Sequence, residues 1–191
     1  MCWYKSKLLI SAGLGFSLIS GLQACKPDIK ENQTSMKYFD LQGFFRADSA
    51  RLTHLNPLIL KSVKHNGTTE SKKLHIPNWG TELSSFSESD INKPAWRDSY
   101  SITADSNVII YQALDSTLKT KEILIRKANG KVKSIMIENR VEKYVYKKKI
   151  LLYKTLEKLS YFPDSLYLIQ KSQTVRILGK NNYDIAGYFN Q

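Results

Sequence analysis

The sequence contains little cysteine, glycine or proline. Its 191 residues include 2 cysteines, 9 glycines and 5 prolines, while 42% are hydrophobic and 24% are charged. This composition excludes a collagen, a disordered tail, a coiled-coil rod and a multi-span membrane protein. The length is sufficient for one domain with a substantial core, or for two small ones.

The N-terminal segment has the pattern of an export signal. Lys5 and Lys7 precede an apolar stretch over 8–22. At about 1.5 Å per residue, this stretch is too short to cross a bilayer core of about 30 Å comfortably. Positive charge, a short apolar region and then a small residue are typical of a secretory signal peptide. The alternative, a buried core helix, lacks an amphipathic face. We expect residues 1–24 to be a signal peptide.

This segment ends with Leu22, Gln23 and Ala24, directly before Cys25. With Leu at −3 and a small residue at −1, it resembles the lipobox of bacterial lipoproteins. The resemblance implies that Cys25 is acylated on its thiol and becomes the new N-terminus. Several acyl chains hold a protein to a membrane far better than one, which supports only marginal binding. The alternative is that Cys25 is a buried free thiol.

Cysteine usage agrees with a lipid anchor. Removal of Cys2 with the signal peptide leaves Cys25 alone, so the mature chain has no internal disulfide. Residues 25–36 are polar and are expected to form a lipidated tether. A lipobox, a charged tether and then strands rich in Tyr, Lys and Asn resemble lipoproteins of the Bacteroidota. In well-studied Gram-negative enterobacteria, an Asp directly after the lipidated cysteine signals inner-membrane retention. The residue at this position is Lys26, so we expect an outer-membrane lipid anchor, on either face of that membrane.

The mature chain is strongly basic. Without residues 1–24 it keeps 27 basic and 17 acidic residues, a net charge of +10. The densest basic run is 144–149, Tyr-Val-Tyr-Lys-Lys-Lys. Nucleic-acid-binding proteins use such residues, but no nucleic-acid motif accompanies them, and we expect no such partner. Anionic lipid or lipopolysaccharide is a nearer counter-ion. The alternative is a solvated strand edge whose lysines discourage edge-to-edge pairing.

Helical periodicity begins the mature domain. The pattern predicts an amphipathic helix over 37–55, with Ser35 as N-cap and Asn56-Pro57 as its end. The apolar residues at helical spacing are Tyr38, Leu41, Phe45, Leu52 and Leu55.

Strand patterns dominate the rest of the chain. Asn66-Gly67 predicts a type I′ turn joining strands 58–65 and 68–76. Residues 77–97 are irregular, with Trp79 and Trp96 expected against the core or, alternatively, stacking on a ligand. Further strands are predicted at 98–104, 107–114, 119–128, 131–138, 142–154, 165–178 and 183–189, while 156–159 is compatible with a helical turn.

The connections determine the fold class. They are short, and parallel strands would require long crossovers. We therefore predict a single α+β domain over 37–191, in which the N-terminal helix packs on a curved, mainly antiparallel sheet of about eight or nine strands.

The hairpin at Asn129-Gly130 predicts two apolar faces. A two-residue loop pairs Ala128 with Lys131. With that register, Leu124, Ile135 and Ile137 share one face, while Ile123, Ile125, Val132 and Met136 share the other. An antiparallel sheet with one solvent-exposed face is apolar on the other face only. Because both faces of this hairpin are apolar, we expect each of them to be covered.

Two explanations are open for the second apolar face. In one, the helix covers one face and sheet curvature closes the other into a core. In the second, a half-barrel similar to outer-membrane lipoprotein carriers has an apolar pocket for an acyl chain, lined by Ile123, Ile125, Val132 and Met136. That resemblance is architectural only.

Catalytic and metal-binding motifs are not found in the sequence. No pair among His54, His65 and His75 has helical ligand spacing, and no thiolate remains, so we predict no metal and no cofactor. Gly-x-Ser-x-Gly, HExxH and phosphate-binding glycine loops are missing. Glu88 and Asp90 could serve as a glycosidase pair, although acids near a loop are more often solvated or capping. Nothing in the sequence argues for catalysis.

These observations favour a non-catalytic lipoprotein. We expect an outer-membrane-anchored binding or assembly component of the cell envelope; the sequence does not identify its partner proteins. The alternative is a carrier or sensor of a lipid or other apolar ligand in a cavity of the sheet. An envelope enzyme is the third hypothesis.

Overall fold

The computed structural model describes residues 36–145 and 150–189. These residues belong to the second of two units into which the chain divides, Met36–Gln191. The predicted signal peptide and Cys25 lie outside the described residues, as do the lysines at 147–149.

The first helix, α1, is Leu41–Leu55, so it begins later than predicted. Ser35 is not its N-cap. Instead, the Asp40 carboxylate accepts a hydrogen bond from the Gly43 N–H at 2.7 Å, which satisfies one of the free donors of the first turn. Asn56 ends the helix in a left-handed conformation, with φ 44°, as the sequence predicts. The predicted apolar stripe is buried except for Leu55, which is 58% exposed.

Nine strands of the described ranges form one open antiparallel sheet, which confirms the predicted sheet-dominated fold. Its order is β2-β1-β9-β8-β7-β6-β5-β4-β3. Strands β3 to β9 follow one another in chain order, and the first hairpin then joins the free side of β9. The strands are β1 (Leu58–His65), β2 (Thr68–His75), β3 (Tyr100–Ala104), β4 (Val108–Ala113), β5 (Thr120–Ala128), β6 (Lys131–Val145), β7 (Ile150–Phe162), β8 (Leu166–Val175) and β9 (Gly179–Phe189).

Several predicted boundaries are wrong. The predicted strand 142–154 is the end of β6 and the beginning of β7, and 156–159 is strand within β7. The predicted strand 165–178 ends at Val175, and β9 begins at Gly179 rather than at residue 183. The sequence between β6 and β7 contains no glycine, proline, asparagine or aspartate that would mark a turn, and both strands have the same pattern.

The two Asn-Gly turns are confirmed. Asn66 and Gly67 have φ of 47° and 100°, and Asn129 and Gly130 have φ of 51° and 72°. Type I′ turns need positive φ at both central residues, and Asn and Gly tolerate it best.

A β-bulge makes the predicted register of the β5–β6 hairpin wrong. Ala128 lies opposite Lys131 as expected, but Lys133 has no partner and Arg126 then lies opposite Ser134. Ile125 consequently faces Ile135 rather than Ser134. An extra residue in one strand moves the following side chains to the other face relative to the partner strand.

Helices cover one face of the sheet. This covered face carries α1, α2 (Trp79–Glu82), α3 (Ser84–Ser87) and a 3₁₀ turn at Pro94–Trp96. The core between the two layers is rich in aromatic rings; Phe45, for example, lies 5.0 Å from Phe86 and 5.1 Å from Tyr161 between ring centroids. No described helix packs on the opposite face, which we call the open face.

Candidate functional site

The structure separates the four residues predicted to line an apolar pocket. Ile123 and Ile125 lie on the covered face and are at most 1% exposed, packed in the core. Val132 packs against the same core. Met136 lies opposite Leu124 and points to the open face. The sheet is thus apolar on both faces at this hairpin, as predicted, but with a different division of residues.

The long strands β6 to β9 extend past the helix layer at one end of the sheet. Asn139 of β6 binds Ser89 beside α3 at 2.8 Å, and β6 continues to Val145. Six residues at about 3.3 Å each give a projection of about 20 Å. We call residues 140–145, 150–156 and 172–182 the hairpin end.

The two most exposed large apolar side chains of the described residues lie at the hairpin end. Ile177 and Leu178, in the turn between β8 and β9, are 92% and 84% exposed. The neighbouring β6–β7 hairpin exposes Tyr144, Val145 and Leu152 by 49%, 42% and 43%. The two hairpins are adjacent, since the Arg176 N–H donates to the Leu152 carbonyl at 3.1 Å. Clustered apolar exposure of this kind marks contact with a protein or a membrane.

Basic side chains lie in the same two hairpins as these apolar side chains. Lys143, Arg176 and Lys180 are exposed, and Lys154 binds Glu142 at 3.0 Å. The hydrogen bond from Tyr144, followed by that from Lys154, holds the pKa of the Glu142 carboxyl below its ordinary value. The hairpin end therefore carries both apolar and cationic groups.

The described chain begins at the same end of the sheet. Ser101 of β3 lies in one cross-strand row with Glu138 and Lys158. Asp98 precedes that row on the side of the hairpin end, and Lys37 binds Asp98 at 2.6 Å. Lys37, near the start of the described residues, therefore lies on the side of the sheet from which the hairpins project.

The histidines are separated, as their predicted positions imply. His65 and His75 lie opposite Thr68 and Leu58, and His54 is in the last turn of α1. Among residues 36–145 and 150–189, no group of three or more His, Cys, Asp or Glu side chains is arranged to hold a metal ion. No helix in the same ranges is long and apolar enough to cross a bilayer.

Sequence reasoning missed Ile177 and Leu178 because it placed them inside a strand. A signal was present: two apolar residues come directly before Gly179, which has φ 83°, a conformation that favours glycine and a turn. No protein-family model, curated protein or solved structure matches this chain.

Proposed function

We propose that this protein is a lipoprotein of the bacterial outer membrane, acylated on Cys25. Its folded domain is a non-catalytic binding or assembly component that works at the bilayer surface. The apolar and basic hairpin end is the observation that carries this proposal, because it gives the domain a second membrane contact besides the acyl chains.

Both the apolar and the basic side chains of the hairpin end would contribute to membrane binding. Apolar side chains that enter the boundary of headgroups and acyl chains add binding free energy in proportion to the buried area. Each Lys or Arg near an anionic surface adds about 1 kcal/mol. Ile177 and Leu178 supply the first contribution, and Lys143, Arg176 and Lys180 supply the second.

The tether is long enough for both contacts to form together. Residues 26–36 join Cys25 to the domain, and a fully extended chain spans at most about 3.6 Å per residue, or roughly 40 Å here. Because Lys37 lies on the side from which the hairpins project by about 20 Å, we expect one bilayer to hold the acyl chains and the hairpin end at once.

Metabolic labelling tests the anchor. Cells given an alkyne fatty acid should incorporate the label into the wild-type protein and not into Cys25→Ala. Cys2→Ala is the matched control and should keep the label. Wild-type protein should fractionate with the outer membrane. Label retained in Cys25→Ala, or wild-type protein free in the cytosol, would contradict the proposal.

The second hypothesis, a carrier with an apolar cavity in a curved sheet, has less support. Ile123 and Ile125, which would line the cavity, are packed in the core. Leu124 and Met136 remain available on the open face for an apolar ligand. Native mass spectrometry of the purified protein would favour this hypothesis if a lipid, other than the acyl chains on Cys25, co-purified in stoichiometric amount.

A further inference from the structure

A polar pocket lies at the junction between the helix layer and the hairpin end. Its volume is about 300 Å³, and it is lined by α3, by the segment before β5 and by strands β6, β7 and β8. Such a volume is at the lower end of the range for small-molecule sites. Asn139 and Glu157 form its buried part, while Lys119 and Lys171 are exposed at its rim.

Asn139, which lines this pocket, has a buried acceptor without a partner among the described residues. Its side chain is 2% exposed, and its Nδ2 donates to Ser89 Oγ at 2.8 Å and to Glu157 Oε2 at 2.9 Å. The amide orientation follows from chemistry, because a carboxylate can only accept. Asn139 Oδ1 is buried and accepts no hydrogen bond from the described residues. A buried carbonyl without a donor is costly.

Glu157 brings a buried carboxylate to the same place. It is 8% exposed and takes part in none of the ion pairs within residues 36–145 and 150–189. Lys171 lies directly opposite it in β8, but the two form no salt bridge. A buried carboxylate is stable only with a compensating cation or hydrogen-bond donors.

We propose that this pocket binds a small zwitterion that carries a primary ammonium group. The ammonium has three donors and no acceptor, so it can serve Asn139 Oδ1 and the Glu157 carboxylate and neutralise the latter. The anionic group of the ligand would lie at the rim, near Lys119 and Lys171. A sugar hydroxyl supplies donors but no positive charge. The proposal does not depend on acylation of Cys25.

The ammonium zwitterion could be a free molecule or a phospholipid headgroup. Seven residues of β7 precede Glu157, which places the pocket about 23 Å from the beginning of that strand. If a bilayer contacts the hairpin end, a lipid headgroup that remains in that bilayer would not reach the pocket. We therefore assign the pocket to a free zwitterion.

Calorimetry on the purified, processed protein, reconstituted in phosphatidylcholine vesicles without detergent, tests the proposal with O-phosphoethanolamine as the probe. We expect saturable binding at millimolar concentration or below. Phosphocholine has the same charges but no ammonium N–H donors, and it should bind at least tenfold more weakly. Vesicles of phosphatidylethanolamine, compared with phosphatidylcholine vesicles, should not compete with the free probe.

Two variants assign the binding to the pocket. Glu157→Gln keeps an acceptor for Asn139 but loses the charge, so affinity should fall at least tenfold. Lys171→Gln should weaken O-phosphoethanolamine but not ethanolamine. Lys158→Gln, an exposed neighbour in β7 on the open face, is the control and should change neither. A thermal unfolding curve for each variant verifies that it is folded.

Three results would overturn the proposal. They are no saturable binding of O-phosphoethanolamine by folded wild-type protein, equal affinity for phosphocholine, and unchanged affinity in folded Glu157→Gln. Competition by phosphatidylethanolamine vesicles alone would overturn the assignment to a free zwitterion and point to a lipid headgroup.

Discussion

The same strands have opposite environments at their two ends. Under the helix layer, Leu159 and Tyr161 of β7 are at most 1% exposed, whereas Leu152 of the same strand is 43% exposed at the hairpin end. The covered half has the aromatic core that stabilises the fold. The projecting half buries little and displays apolar and basic groups, so its composition is better explained by binding than by stability.

Two hydrogen-bonded networks fasten the helices to the covered half. The Tyr161 hydroxyl donates to Asp48 of α1, and Arg51 bridges Asp48 and Asp164 at 2.6 and 2.7 Å. In the second network, the Tyr167 hydroxyl donates to Glu82 of α2. Lys61 of β1 binds the same Glu82 carboxylate at 2.7 Å. The hairpin end has no equivalent connection to the described helices.

The largest expected effect is in the core. Phe45→Ala should lower the free energy of unfolding by about 3–5 kcal/mol, because it removes a buried ring that packs on Phe86 and Tyr161. Leu178→Ala at the hairpin end should change it by less than about 0.5 kcal/mol. Urea unfolding followed by circular dichroism measures both. Equal losses would remove the distinction between the two halves.

A smaller loss of stability is expected at Gly187, whose backbone lies close to the Tyr167 ring in the covered half. A Cβ on Gly187 of β9 would lie 2.0 Å from the Tyr167 ring, and Tyr167 is fully buried. Gly187→Ala should therefore destabilise by about 1–3 kcal/mol through overpacking. Gly67→Ala is the control, because it introduces backbone strain without a steric clash. Its φ is 100°, and nothing lies within 4 Å of its Cβ position. A Gly187→Ala variant as stable as the wild type would show that this packing is loose.

Buried tyrosines should make the covered half sensitive to alkali. Burial raises the pKa of Tyr100 to about 12. Burial, followed by the hydrogen bond to a carboxylate, raises the pKa of Tyr161 and Tyr167 above the ordinary value.

The sign of the pH dependence follows from these shifts. An unfolded tyrosine ionises near pH 10. Above that pH the unfolded chain holds fewer protons than the folded one, so stability falls as pH rises. Between pH 10 and 12 the slope should be about 1.4 kcal/mol per pH unit for each such tyrosine. Urea unfolding at several pH values should show a shallower slope for Tyr100→Phe, and an unchanged slope would contradict the burial argument.

The smallest effect on stability is expected at Ile177 and Leu178, where the effect on membrane binding should be large. Ile177→Ser combined with Leu178→Ser should leave the free energy of unfolding within about 0.5 kcal/mol of the wild type. In the Cys25→Ala background, this double variant should bind vesicles containing anionic phosphatidylglycerol at least tenfold more weakly. Leu55→Ser, at the end of α1 and 58% exposed, is the control for an exposed leucine outside the hairpin end. Unchanged vesicle binding would exclude the hairpin end as a membrane contact.

Local chemistry made part of the fold predictable. Asn66-Gly67 and Asn129-Gly130 determine their turns because few other residues accept the required φ. The end of α1 at Asn56-Pro57 is also a local property. The bulge at Lys133 was not predictable, because its position depends on packing between strands and on the helix layer above them.

The candidate site was less predictable than the fold. The basic run at 144–149 was recognised, but the cluster needs Ile177 and Leu178 from a hairpin far away in sequence. The pocket likewise joins Asn139, Glu157 and Lys171 from three strands. Such groups meet only through long-range strand register, and a single bulge changes that register.

A fluorescence measurement tests the central claim most directly. Bimane attached at Leu178→Cys, in lipidated protein on phosphatidylglycerol vesicles, should shift to shorter wavelength because the hairpin end enters the bilayer interface. The same label at Leu55→Cys, on the helix layer, should not shift. A shift at residue 178 alone is the predicted result. No shift at residue 178, or an equal shift at both positions, would contradict the account.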